Sequence, residues 1–156
     1  MSISTKEELQ FLLHRGLEIE KKFEAISVWE GFVTVDSDNR KTVLTIARDS
    51  HMHRLDLEKL LETLNLEAAT NEIPDATFDF GGMLDAEILQ KIIAQDEIAA
   101  DLYTELAEKT DPKLVAALSG LKNVEFFYKT LEHIVEDEKK HMHMVKALTG
   151  TITRIL

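Results

Sequence analysis

Two stretches of the chain carry a histidine at the same place in the same apolar pattern. The first runs Val43, Ile46, Ala47, Ser50, His53, Leu57, and the second runs Leu131, Ile134, Val135, Glu138, His141, Val145. The steps between successive members are identical and follow the period of a helix with one apolar face. In the second stretch the polar pair is Glu138-x-x-His141, a carboxylate and an imidazole one helical turn apart on that face. Burying both is costly unless something pairs with them. A metal ion is the usual partner for this donor chemistry. The first stretch keeps its histidine but has Ser50 where the carboxylate would stand.

Two metal ions inside a helical bundle need more than one such pair. Neighbouring cations repel, so carboxylates must bridge them while histidines cap the outer positions. The usual set is Glu-x-x-His from each of two helices and one carboxylate from each of the other two. Glu20 shares an apolar face with Gly16, Leu17, Phe23 and Ser27, and Glu24 lies at the edge of that face. Asp96 falls in line with Ile92, Ala99 and Tyr103, whereas Glu97 points nearly opposite, toward solvent. Each candidate has a plainer reading. Glu138 with His141 could be a buried pair that only sets helix register. Glu20 could be salt-bridged to Arg48 or Arg54, His53 could be a hydrogen-bonded core histidine, and Tyr103 a core tyrosine with a bonded hydroxyl. His51 and His143 sit two residues from His53 and His141, so they point to other sides of their helices and do not chelate with them. His14 and His133 have no motif around them. Met52, Met142 and Met144 are expected in packing, and the run from Glu136 to Lys140 reads as a solvated face with Glu138 alone turned inward.

Four amphipathic helices must position these groups. The first spans Thr5 to Val33, capped by Ser4 or Thr5, with Leu9, Leu12, Leu13 and Leu17 on its face. A turn-rich stretch from Val35 to Arg40 precedes the second, Lys41 to Leu64. The third spans Leu84 to Lys109, with Leu84, Ile88, Leu102 and Leu106 on its face, and Thr110-Asp111-Pro112 stops it. After a short helical piece from Lys113 to Leu118, the fourth runs from an N-cap at Asn123 to Leu148, with Gly150 as its stop. A short turn makes helices one and two an antiparallel hairpin, and helices three and four are expected to form another across a longer link. The segment Asn65 to Met83, with Pro74 and Gly81-Gly82, is too long for a tight turn. The expected fold is therefore all-α: a ferritin-like antiparallel four-helix bundle, two helical hairpins joined by a long crossover, in a single domain over residues 1–156. The rival is a simple up-down bundle with a decorated loop.

Bulk composition sets outer bounds. With 156 residues, 44% hydrophobic and 30% charged, the chain is long enough for one substantial core. A net charge of −11 argues against a nucleic-acid partner. The absence of cysteine excludes a disulfide framework, a thiolate zinc site and an iron–sulfur cluster. No apolar run follows a basic start and none is long enough to span a bilayer, so a cytoplasmic protein without membrane contact is expected.

The segment from Ala94 to Thr110 resembles the third helix of rubrerythrin-like members of the ferritin-like superfamily, in which a Glu stands seven residues before the Tyr. Here Asp96 holds that place before Tyr103. Glu138-Lys-Lys-His141 is similar to that family's last metal-binding helix, and Glu20, thirty residues before Ser50, fits its first-helix ligand by position. The resemblance implies Glu20, His53, Asp96, Glu138 and His141 as ligands of two iron ions, or of one, with manganese or zinc as alternatives. It also implies iron oxidation or peroxide or dioxygen reduction, and a homodimer in place of a cage, because the fifth helix of cage ferritins is missing. The electron donor is not implied, since the chain has no cysteine-rich relay segment. The departures are Ser50, the shorter arm of Asp96, and a longer spacing from Asp96 to Glu138 than from Glu20 to Ser50. Water, hydroxide or Glu24 could stand in for the carboxylate at Ser50. The alternatives are a non-catalytic ferritin-like dimer with a relic site, working through its surface, and a single-metal protein without redox turnover.

Overall fold

In a computed structural model, residues 2–24, 36–67 and 82–155 are described, with side chains at all of them except 38 and 149–155. Helix α1 spans Lys6–Phe23. Thr5 caps it, its hydroxyl accepting from the Glu8 N–H at 3.2 Å, as a Thr-x-x-Glu start favours. Glu24 is its C-cap, and the expected continuation to Val33, Ser27 included, lies outside the described residues. Helix α2 spans Ser37–Thr63, so it begins earlier than the turn residues suggest. The Asp36 N–H and the Asn39 side-chain amide both donate to Asp85 Oδ2, at 2.9 and 2.6 Å, and this tertiary clamp holds Asp36 and Asn39 in place at the first turn. Helix α2 ends at Asn65, whose φ of 57° is left-handed, with the Asn65 and Leu66 N–H groups returning to the Glu62 and Leu61 carbonyls.

Helix α3 spans Asp85–Lys109, preceded by Leu84 as N-cap. Leu84 is 65% exposed, so it does not join the apolar face as expected, because it sits outside the helical turn. Helix α4 is the short piece Pro112–Ser119, with Asp111 accepting from the Lys113 N–H and proline in its first turn. After a 3₁₀ turn at Leu121–Asn123, helix α5 spans Val124–Ile155. Asn123 precedes it as expected, but its side-chain amide donates to the Ser119 carbonyl at 2.6 Å. Gly150 does not stop α5: a lone glycine costs a helix only about 1 kcal/mol, and the backbone runs through it.

The directions of the four long helices follow from which residues meet. His14 reaches the Glu67 carbonyl while Glu24 meets His51 and Arg54, so α1 and α2 are antiparallel. Asp96 meets His141 while Tyr128 meets Thr110, so α3 and α5 are antiparallel. Gly16 lies against Tyr103 while Ile3 pairs with Lys109 and Asp111, which sets α1 antiparallel to α3. Asp49 meets His141 while His53 meets Asp137, which sets α2 antiparallel to α5. Helices α2 and α3 therefore run the same way, and a connection between them has to travel back along their length. Most of that connection, residues 68–81, lies outside the described residues. One apolar core joins all of these elements, with Leu9, Leu13, Leu57, Leu60, Ile88, Ile92, Phe127, Leu131 and Ile134 fully buried or nearly so. Among the described residues there is no strand, and no helix is long and apolar enough to cross a membrane.

Candidate metal centre

Each of the five candidate residues projects from the apolar stripe of its helix, and the packing brings all five to one place in the core. Glu20 from α1, His53 from α2, Asp96 from α3, and Glu138 and His141 from α5 are at most 1% exposed. They form two triads that share Glu138. Ligand atoms of Glu20, His53 and Glu138 lie within 4.8 Å of one another, and so do those of Asp96, Glu138 and His141. His53 Nδ1 is 2.9 Å from Glu138 Oε1 and 3.7 Å from Glu20 Oε1. His141 Nδ1 is 3.0 Å from Asp96 Oδ2 and 3.9 Å from Glu138 Oε2. Glu138 thus presents one oxygen to each histidine, and the two rings face each other with centroids 6.3 Å apart.

The polar atoms are close but poorly satisfied. The 2.9 Å approach of His53 Nδ1 to Glu138 Oε1 is out of line for an N–H···O bond. His53 Nδ1, both Glu138 oxygens, Glu20 Oε2 and Asp96 Oδ1 have no hydrogen-bond partner. Unpaired buried oxygens and nitrogens in one cluster are rare and costly. His141 Nδ1 and Asp96 Oδ2 are hydrogen-bonded to each other at 3.0 Å, while the unpaired atoms converge without bonding to one another, as a cation needs of its ligands. Two imidazoles and three carboxylates suit iron, manganese or zinc. The donor set fits such an ion.

Both histidines are held from outside by an aspartate. The His53 Nε2–H donates to Asp137 Oδ2 at 2.8 Å, and the His141 Nε2–H donates to Asp49 Oδ2 at 2.8 Å. With Nε2 carrying the hydrogen toward a carboxylate, Nδ1 is the atom each ring can offer inward. Asp137 is 19% exposed and Asp49 is 33% exposed. The aspartates are exchanged between the two copies: the one on α5 holds the histidine on α2, and the reverse. Sequence reasoning missed both and placed Asp137 on a solvated face. The signal was present, because the residue just before Ser50 and the one just before Glu138 are both aspartate.

Tyr103 supports the first triad. Its hydroxyl donates to Glu20 Oε1 at 2.9 Å, with the Gly16 carbonyl at 3.2 Å as a second acceptor. Gly16 makes room for the ring, since a Cβ there would stand 2.7 Å from Tyr103 Cε1. Among the described residues, Glu20 has no ion pair with an arginine. Arg54 instead pairs with Glu24 and, at 2.9 Å, with Glu58. Glu24 also meets His51, so it is held at the rim by Arg54 and His51 and is not placed at Ser50. His14 bonds the Glu67 carbonyl, and His133 is largely exposed, 3.5 Å from Asp137. His143 is exposed, as expected. Met52, expected in packing, is 53% exposed, because its position on α2 faces away from the core.

Burial sets the electrostatics. Desolvation raises the Glu20 pKa to about 7, with the His53 contact pulling it down and the Glu138 charge pushing it up. Burial likewise raises Asp96 to about 8 and Glu138 to about 8. Burial opposes a charge on His53, but the Glu138 and Glu20 carboxylates outweigh it and raise its pKa. Tyr103 is pushed well above its ordinary value, first by burial and then by the neighbouring carboxylates. Three carboxyl groups this close in a dry core hold protons near neutral pH, and divalent cations could displace those protons. No protein-family model, curated protein or solved structure matches the chain.

Proposed function

We propose that the chain is a ferritin-like, rubrerythrin-like dimetal-carboxylate protein whose centre takes two iron ions and serves iron(II) oxidation or the reduction of peroxide or dioxygen. The observation that carries this reading is Glu138, fully buried, with a histidine Nδ1 facing each of its oxygens and no hydrogen bond to either. In this reading Glu20 and His53 would hold one ion, Asp96 and His141 would hold the other, and Glu138, common to both triads, would serve both. The helix directions support a ferritin-like arrangement, in which neighbours are antiparallel and the second and third long helices run the same way. A cytoplasmic homodimer belongs to the same reading.

Bound iron would supply the one-electron chemistry. The chain's own residues would do the rest. Asp137 and Asp49 hold the rings so that Nδ1 faces inward. Tyr103 fixes Glu20 through its hydroxyl. The apolar core keeps bulk water away, which strengthens every charge interaction inside. Glu20, Asp96 and Glu138, whose burial favours their protonated forms, would have to give up protons to act as ligands. Reducing equivalents for peroxide or dioxygen would come from an external donor.

The test is anaerobic loading with Fe(II), followed by dioxygen or hydrogen peroxide, read as Fe(III) absorbance and turnover. The expected result is oxidation by the wild type and none beyond background in Glu138→Ala. One bound ion without oxidation would support the single-metal reading, which Ser50 favours because it removes one carboxylate. No bound metal under any loading condition would leave a non-catalytic bundle that works through its surface.

A further inference from the structure

Ser50 stands on α2 where the internal pattern places Glu138 on α5. It is fully buried, and its hydroxyl has no hydrogen-bond partner. Among the described residues one other buried hydroxyl is left so, Thr110 at the C-cap of α3, and no other inside a helix. Thr45, Thr63, Ser119 and Thr130 all return their hydroxyls to the carbonyl four residues back, at 2.7–2.8 Å. This is the ordinary outlet for a helical hydroxyl. Ser50 does not use it. Its hydroxyl is left unpaired one turn from His53, on the face that carries the metal ligands.

Charge gives a second reason to look at this point. Glu20, Asp96 and Glu138 are the carboxylates of the two triads. Three carboxylates leave two divalent cations one negative charge short, and an uncompensated charge in a buried site is costly. Asp49 and Asp137 are occupied with the outer ring nitrogens. A serine side chain also stops where a glutamate would still have a carboxylate to place. The centre thus lacks one negative charge and an acceptor for the Ser50 hydroxyl, which a small carboxylate supplies together; hydroxide alone is the outcome in which no added anion changes the affinity.

We infer that Ser50 marks a subsite for an exogenous one-carbon carboxylate, formate or bicarbonate, which completes the metal centre from the α2 side and accepts a hydrogen bond from the Ser50 hydroxyl. This rests on the metal-centre reading above. The anion restores the balance that a second Glu-x-x-His would have built in, and makes full occupancy of the centre depend on its supply.

The test is Mn(II) titration of the metal-free protein, followed by the electron paramagnetic resonance signal of free Mn(II). Wild type, Ser50→Ala and Ser50→Glu are each titrated in a buffer free of carboxylates, then with formate, with bicarbonate, and with the bulkier pivalate. In wild type, the second Mn(II) should bind roughly tenfold more tightly with formate or bicarbonate and no more tightly with pivalate. Ser50→Ala should bind Mn(II) alone as wild type does, with a weaker response to the anion. Ser50→Glu should bind two Mn(II) tightly with no response to any anion. Whichever of formate or bicarbonate acts at the lower concentration is the ligand. An unchanged second affinity with both anions in wild type would overturn the inference, as would an enhancement that persists in Ser50→Glu. In both cases bound Mn(II) would leave the metal-centre reading standing. No bound Mn(II) in any arm would overturn both.

Discussion

The Ser50–His53 copy on α2 and the Glu138–His141 copy on α5 meet at the centre of the molecule and differ at the residue that matters most there. Both present a histidine Nδ1 inward, and both are held through Nε2 by an aspartate from the opposite copy at 2.8 Å. Each histidine faces a carboxylate from a third helix, Glu20 or Asp96. Only α5 adds an inner carboxylate. The outer support is thus symmetric while the inner charge is not. The two copies share their packing and their outer aspartates whether or not an inner carboxylate is present, so the arrangement of the rings does not depend on that residue. In the proposed reading, the inner carboxylates set how much cation charge the cluster could neutralise.

The largest effect is expected at Glu138. Glu138→Gln removes the shared inner charge from both triads and should weaken binding of both ions at least about 100-fold, beyond the outer-shell range. Isothermal titration with Mn(II) measures it. Retention of one ion at wild-type affinity would mean the triads are independent and Glu138 does not bridge.

Next come the exchanged aspartates. Asp137→Asn and Asp49→Asn should each cost about 10- to 100-fold in metal affinity, because each leaves one histidine free to turn. The two losses should be similar. A large effect from one and none from the other would show that the outer symmetry is only geometric.

The pH response separates the metal-free protein from the loaded one. Glu20, Asp96 and Glu138 have pKa values raised to about 7, 8 and 8, above their unfolded values. Their contribution to stability is therefore full at about pH 4 and lost as pH rises through the folded values. The raised His53 adds stability that is full below about 6.5, its ordinary pKa, and lost at higher pH. All four act in the same direction, so the melting temperature of metal-free protein should fall between about pH 5 and pH 8. With saturating Mn(II) the stabilisation over the metal-free protein should grow across the same range, since fewer protons compete with the metal. A gap between the two melting curves that stays constant with pH would contradict this.

Two smaller effects sharpen the picture. Gly16→Ala brings a methyl against Tyr103, where overpacking costs about 1–3 kcal/mol, and regains about 1 kcal/mol of helix propensity. A net loss of about 1 kcal/mol in urea unfolding is expected, with weakened support for Glu20. Ser50→Ala removes an unpaired buried hydroxyl and should stabilise the metal-free protein by about 1 kcal/mol. A destabilisation of that size would mean the hydroxyl is already satisfied.

Much of this was legible in the chain itself. The helical period of the apolar residues marks the four long helices, and the polar interruptions at Glu20, His53, Asp96, Glu138 and His141 mark the cluster, because polar groups on a core face need a shared partner. What periodicity could not show is set by tertiary contacts. The start of α2 at Ser37 depends on Asp85, far along the chain. The commitment of Glu24 to Arg54 and His51, and not to the centre, depends on side-chain reach at the rim. The roles of Asp49 and Asp137 were hidden because each acts across the interface between two helices, where a single-helix projection shows only a charge at the edge of a face.

Anomalous scattering from crystals grown with Mn(II) tests the central claim most directly. Two peaks are expected flanking Glu138, one beside Glu20 and His53 Nδ1 and the other beside Asp96 and His141 Nδ1, both absent in Glu138→Gln. Peaks confined to surface carboxylates, with none at Glu138, would contradict it.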